Sequence, residues 1–288
     1  MTGPLVEPVR GRRHTVYFQE FAARQRPVFL DTEVDMSRVT AHREAARDGS
    51  GRTFSFVSYA LLAVGRVLAE FPAANGVMAP GWPSRWRTPR VARYTGVTAK
   101  LALDRELHGE RSVLSALLPG LDRAGLADVQ QRLDRYRGPG TDQLPEFAGV
   151  RKLARLPVPI GRLAFGLAMR DLRRRPEIFG TVSVSSLGHG QVDGFHSVGG
   201  TALTVNLGRV AQRPVVRDGV LAVAPVMRLN LAFDHRVVDG ALAAEVLGAL
   251  KHSLEEFDER SGAEPGGAAV RPADQDRRPG RALVPDQR

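Results

Sequence analysis

The sequence contains no cysteine. Disulfides, a thiolate nucleophile and thiolate-held metal sites are all excluded by that absence. Lysine is nearly missing too: of 41 cationic side chains only Lys100, Lys152 and Lys251 are lysines. The seven histidines, His14, His42, His108, His189, His196, His235 and His252, show no paired ligand spacing and no H-E-x-x-H. No metal is therefore expected, and a zinc mechanism is disfavoured. No run approaches the roughly 18 uncharged apolar residues of a spanning helix. Met1 to Arg13 carries Pro and Arg where a secretion signal needs an apolar centre. The expected location is cytoplasmic.

The chain has 288 residues, 43% of them hydrophobic, and a formal net charge of +10. That length supports one sizeable core. The charge is concentrated in the middle, where residues 81–179 hold 19 Lys+Arg against 10 Asp+Glu. No helix-turn-helix pattern or aromatic-studded strand pair accompanies the charge, so nucleic acid is not an expected partner. Met1 to Val9 is expected to be an arm, residues 10–259 the main domain, and residues 260–288, rich in Gly, Pro, Ala, Asp and Arg, a disordered tail.

The most informative segment is Phe233-Asp234-His235-Arg236-Val237-Val238-Asp239-Gly240. It follows an alternating apolar run, Val226 to Phe233, and precedes an Ala/Leu/Val-rich segment, Ala241 to Phe257, with helical spacing. His235 is therefore expected at a strand-to-helix turn. A lone histidine at such a turn is more often a hydrogen-bonded structural residue. Here His, Asp four residues on and the adjoining Gly form an H-x-x-x-D-G motif. In its D-H-R-x-x-D-G form this resembles the catalytic domain of the 2-oxoacid dehydrogenase acyltransferases (dihydrolipoyl acyltransferases), within the chloramphenicol acetyltransferase-like superfamily. Further matching segments are Gly180-Thr-Val-Ser-Val-Ser-Ser-Leu-Gly188, Ala202 to Val210, and Pro214-Val-Val-Arg-Asp-Gly to Met227. The N-terminal part follows the family's order more loosely, with a helix to Arg26, a strand at Val28 to Val34, and helices near Met36 to Arg47 and Phe54 to Phe71.

The resemblance implies an α/β two-layer sandwich with a mixed sheet, assembled as a homotrimer or a multiple of one, with active sites between subunits. It implies coenzyme A-dependent transfer of an acyl group between a thioester and a thiol, that of dihydrolipoamide or another carrier. Such exchange needs a base for a thiol whose ordinary pKa is about 8.5, and imidazole, near 6.5, suits the task. His235 is the candidate. The oxyanion of the tetrahedral intermediate needs a hydrogen-bond donor, and alignment puts Ser185 there, with Ser186 and Ser183 as neighbouring competitors. Asp239 reads either as a charge partner of His235 or, as in the family, as an orienting group paired with an N-terminal arginine, here Arg13 or the adjacent Arg12. Gly240 allows the tight turn, and Asn206 is a polar group in an apolar strand.

Two departures from the family stand out. No lipoyl-type domain precedes the core in this sequence, so a lipoyl group is expected only in trans, from a carrier or from dehydrogenase subunits. The basic middle of the chain suits the phosphates of coenzyme A or an acidic carrier. Residues 144–179 form an atypical insertion, read as a short apolar helix with a basic end at Arg173 to Arg175. Its readings are packing in the oligomer, a lid or docking element, or contact with a membrane surface; the last is not expected. The alternative to an enzyme is a non-catalytic scaffold or regulatory trimer of the same fold.

Overall fold

The computed structural model describes residues 12–80, 88–107, 110–138 and 140–258. The expected arm and tail lie outside them. Helices α1 (Arg13–Ala22), α2 (Ser37–Ser50), α3 (Phe56–Glu70), α4 (Leu126–Asp134), α5 (Ala148–Arg155), α6 (Val158–Arg170), α7 (Arg175–Phe179) and α8 (Gly240–Glu255) alternate with strands. The strands are β1 (Pro27–Asp35), β2 (Gly76–Met78), β3 (Val91–Arg93), β4 (Ala99–Leu107), β5 (Glu110–Leu118), β6 (Val182–Ser186), β7 (Leu203–Arg217) and β8 (Val220–Asp234). Six of them form one sheet in the order β1-β8-β7-β6-β4-β5, and β2 and β3 form a small ribbon. Pairing is antiparallel except at β6, which runs parallel to both its neighbours. The sheet is mixed, as expected.

Strand alternation decides which layer covers which face. Val182 and Val184, Leu203, Val205 and Leu207, and Leu229, Leu231 and Phe233 form one continuous apolar face. It packs on α3 and α8, whose Leu61, Leu62, Val64, Val246 and Leu250 are buried against it. The opposite face is polar, with Ser183 and Ser185 beside Thr204 and Asn206, and Asn206 beside Asn230. The irregular segment 187–201 lies over that polar face. Ser197 donates to Asn206 Oδ1 at 2.5 Å, and the Asp193 carbonyl packs so closely on β7 that a Cβ at Gly208 would lie 1.9 Å from it.

The β7–β8 hairpin turns at Asp218-Gly219, both with positive φ, 51° and 80°. These are the residues and angles that match the right-handed twist of a two-residue hairpin. The segment expected as one short helix with a basic end is instead three helices, α5 to α7. They pack on α1 through Phe21 against Phe165 and Phe179 and through an Arg162–Glu20 ion pair. Arg173 to Arg175 do not extend the end of one helix. Asp171 accepts from the backbone N–H groups of Arg173 and Arg174, breaking the chain between α6 and α7. Arg175 is buried and donates to the Gly200 carbonyl.

Candidate active site

The D-H-R-x-x-D-G segment is held by its own side chains. Asp234, 4% exposed, accepts from Arg236 Nε at 2.9 Å and from its terminal nitrogen at 2.6 Å, and from the backbone N–H groups of Arg236 and Arg26. Burial works to raise the Asp234 carboxyl. The Arg236 guanidinium and backbone N–H bonds outweigh it and hold the group below its ordinary value. The Asp234 carbonyl accepts from Val237 and Val238, closing the turn, and His235 N–H donates to the Arg26 carbonyl at 3.0 Å. The backbone of His235 is thus fixed on both sides. Its imidazole is exposed, tilted against the Phe233 ring with centroids 5.5 Å apart, and has no hydrogen-bond partner among the described residues.

Asp239 caps α8. Its Oδ1 accepts from the Leu242 N–H at 2.9 Å with the extended backbone of an N-cap residue, an interaction that stabilises a helix start by about 1 kcal/mol. Gly240 is the first residue of that helix. Arg13 begins α1, whose His14 Nε2 lies 3.2 Å from the Val113 carbonyl of β5. In the sheet order β5 is four strands from β8, on the order of 20 Å at the usual strand spacing. Arg13 and Asp239 are therefore not brought together within one chain.

Of the three candidate serines, two are engaged. Ser183 is buried, donates to the Gly199 carbonyl and accepts from Thr201. Ser186 accepts from the Gly188 N–H. The Ser185 hydroxyl has no partner among the described residues, and it borders a cavity of about 820 Å³. The cavity arises from strand length. β6 pairs with β4 only as far as Leu101 and with β7 as far as Leu207, yet β4 and β7 both continue. Beyond Ser186 they have no strand between them, and a slot runs through the sheet. Leu101 to Arg105 line one side and Leu207, Gly208 and Val210 the other, with Ser185 to His189 at the closed end.

Asn206, read from sequence as a core or channel polar group, is fully buried beside Ser185 and bonded to Ser197, outside the residues that line the slot. Following register from Ser185 through Asn206 to Asn230 and along β8 to His235 spans two strand spacings and five residues, roughly 15–20 Å. The imidazole and hydroxyl of one chain cannot meet at one reacting atom. Sequence reasoning missed the Asp234–Arg236 clamp, although an acid and a base two residues apart across a turn were visible as its signal. It also missed the slot, which depends on where β6 ends.

Comparison with known proteins bears on the same segment. The family profile described as 2-oxoacid dehydrogenases acyltransferase (catalytic domain) matches residues 171–260. Over that third of its length the chain is similar to these acyltransferases. It is 24% identical over 232 residues, 80% of its length, to the dihydrolipoyllysine-residue acetyltransferase component of the pyruvate dehydrogenase complex of Bacillus subtilis. Over 50 residues the identity to the corresponding Staphylococcus aureus component rises to 44%. The chain spans about half the length of the longer matches, covering 45% of the Bacillus protein. The dihydrolipoamide acetyltransferase-type fold is shared with a probable dihydrolipoamide acetyltransferase from Listeria monocytogenes, with a TM-score of 0.64, 19% identity, and coverage of 88% of this chain and 95% of that one. An Azotobacter vinelandii dihydrolipoamide acetyltransferase, solved to examine a serine, a histidine and an asparagine in its mechanism, gives the same TM-score of 0.64 at 19% identity and covers 88% and 93% of the two chains. Among the described residues no helix is long and apolar enough to cross a membrane.

Proposed function

We propose that this chain is the catalytic unit of a trimeric acyltransferase that exchanges an acyl group between coenzyme A and the thiol of dihydrolipoamide or another carrier, with each site shared by two subunits. The observation that carries the reading is the Ser185 hydroxyl at the slot, matched by the exposed imidazole of a fixed His235, neither of which has a hydrogen-bond partner among the described residues. His235 of one subunit and Ser185 of the next complete a site that neither subunit holds alone. The asparagine of the Azotobacter enzyme stands four residues after its histidine, the place of Asp239 here. Its role in this chain is to fix the start of α8 and hence the turn before it. Arg13 orients the site only from a neighbouring subunit, since its own chain keeps it far from Asp239.

The chemistry follows from these groups. A ring nitrogen of His235 takes the proton of the acceptor thiol, and the thiolate attacks the thioester carbonyl carbon. The oxygen gains the negative charge and accepts a hydrogen bond from Ser185. Collapse breaks the original C–S bond, and the departing thiolate takes the proton back from the imidazolium. The exposed Arg12 at the slot suits the phosphates of coenzyme A. The domain reading is a single catalytic domain over residues 10–259 in which 144–179 buttress α1. The test is acyl exchange between acetyl-coenzyme A and dihydrolipoamide, with longer thioesters as alternatives. Turnover that His235→Ala lowers at least about 100-fold is expected, and turnover unchanged by that substitution contradicts the mechanism.

A further inference from the structure

The slot beyond Ser186 differs in chemistry at its two ends. On the face bearing Ser185 its mouth is polar, with Arg12, Asp104, Arg111 and His189. On the helix side its walls are Phe56, Val57, Leu103, Leu207, Val210 and Met227. Arg105 borders that end, but its guanidinium is turned away onto Thr141 Oγ1 and the carbonyls of Asp104 and Tyr136. The Arg43 guanidinium lies 3.9 Å over the Phe56 ring but is not among the residues that line the slot, so among the described lining residues no charged head faces the apolar walls.

We infer that the helix-side end is an acyl chamber and that the acyl group is a hydrocarbon chain of medium length rather than acetyl. This rests on the proposed acyl transfer at Ser185 and names its substrate class. A thioester carbonyl at the Ser185 hydroxyl places the carrier arm on the polar face and the acyl chain in the slot. The distance from one layer to the next is about 10 Å, the reach of roughly eight carbons, since a zigzag chain of ~1.5 Å bonds advances about 1.25 Å per bond. An acetyl group ends near the mouth, leaving the half-buried Val57, Leu103 and Val210 facing space, and walls without partner atoms lose their dispersion contacts. Each methylene that enters such a chamber strengthens binding roughly fourfold.

The test is a series of coenzyme A thioesters from acetyl to dodecanoyl, with dihydrolipoamide as acceptor, comparing kcat/KM. The expected result is a rise to a maximum near octanoyl. Val57→Phe and Leu103→Phe, each at a half-buried position bordering the slot, should lower the octanoyl-to-acetyl ratio at least tenfold. A maximum at acetyl, or ratios untouched by both variants, overturns the chamber while leaving acyl transfer standing. If no thioester turns over, the proposed function has failed, and calorimetry with octanoyl- and acetyl-coenzyme A then decides the chamber separately. Tighter octanoyl binding that Val57→Phe weakens upholds it, and equal affinities overturn it.

Discussion

His235 sits on a turn whose neighbouring polar groups are engaged, whereas Ser185 sits beside an opening in the sheet with its hydroxyl unengaged. The turn is rigid because Asp234 gathers two backbone N–H groups and a guanidinium at once. The slot is open because β6 stops after five residues between two longer strands. One region supplies a fixed group facing outward and the other a vacant donor facing a cavity. The contrast is what the proposed shared site requires, two halves of the chemistry that meet across a boundary between copies.

The comparison is broken most severely by removing either half. His235→Ala should lower acyl exchange by about 10²–10⁴-fold, the range for loss of a general base, with the oligomer intact by light scattering. Ser185→Ala should lower kcat by about 10²–10³-fold, as for loss of one oxyanion donor. Ser183→Ala serves as the contrast, because its O–H donates to the Gly199 carbonyl, while Ser186, which accepts from the Gly188 N–H and keeps its own proton to donate, is the competitor. A larger loss in kcat from Ser186→Ala than from Ser185→Ala would move the donor to that residue.

Loosening the turn without touching the imidazole is a smaller change. Asp234→Ala leaves the part-buried N–H groups of Arg26 and Arg236 without this partner, which costs at most about 1–3 kcal/mol each, and should lower Tm together with kcat. Because the folded Asp234 carboxyl lies below its ordinary value, its contribution is present above about pH 4 and is lost as pH falls through the lower native value. Wild type should therefore lose stability in acid more steeply than Asp234→Ala, as read by thermal melts from pH 6 to pH 2.

The smallest effect on activity concerns neither half but the support beneath them. Lys100 is buried under the rings of Phe18 and Phe179, and donates to the Gly199 carbonyl. Burial first, then the nearby Arg175 charge, pushes its pKa down to about 7. Its unfolded value is near 10.4, so between those values the unfolded chain binds more protons and stability rises with pH. Lys100→Met should flatten that rise between pH 7 and pH 10, and an unaltered slope would show that Lys100 stays charged in the folded protein.

Much of this arrangement could be read from sequence where a pattern is local. The period-two run into Asp234 and the helical run after Gly240 placed His235 at a junction now seen between β8 and α8. The hairpin at Asp218-Gly219 lies in a segment, Pro214 to Met227, that matches through the family resemblance and not through a local period. The free state of Ser185 was not, because choosing among Ser183, Ser185 and Ser186 depends on partners at Gly199, Thr201 and Gly188. Nor was the fate of residues 144–179, where Pro157 and Asp171 divide one apolar stretch into separate helices and Arg175 turns inward to a carbonyl. A run of arginines looks solvated until the chain around it is folded.

The shared site is tested most directly by mixing two inactive subunits. Chains carrying His235→Ala retain Ser185, and chains carrying Ser185→Ala retain His235. Random trimers formed from equal amounts should hold an intact pairing at about one interface in four, so co-refolded mixtures should recover up to about a quarter of wild-type acyl exchange while each parent alone stays inactive. Mixtures no more active than their parents, with mixed trimers verified by mass, would contradict a site built from His235 of one chain and Ser185 of the next.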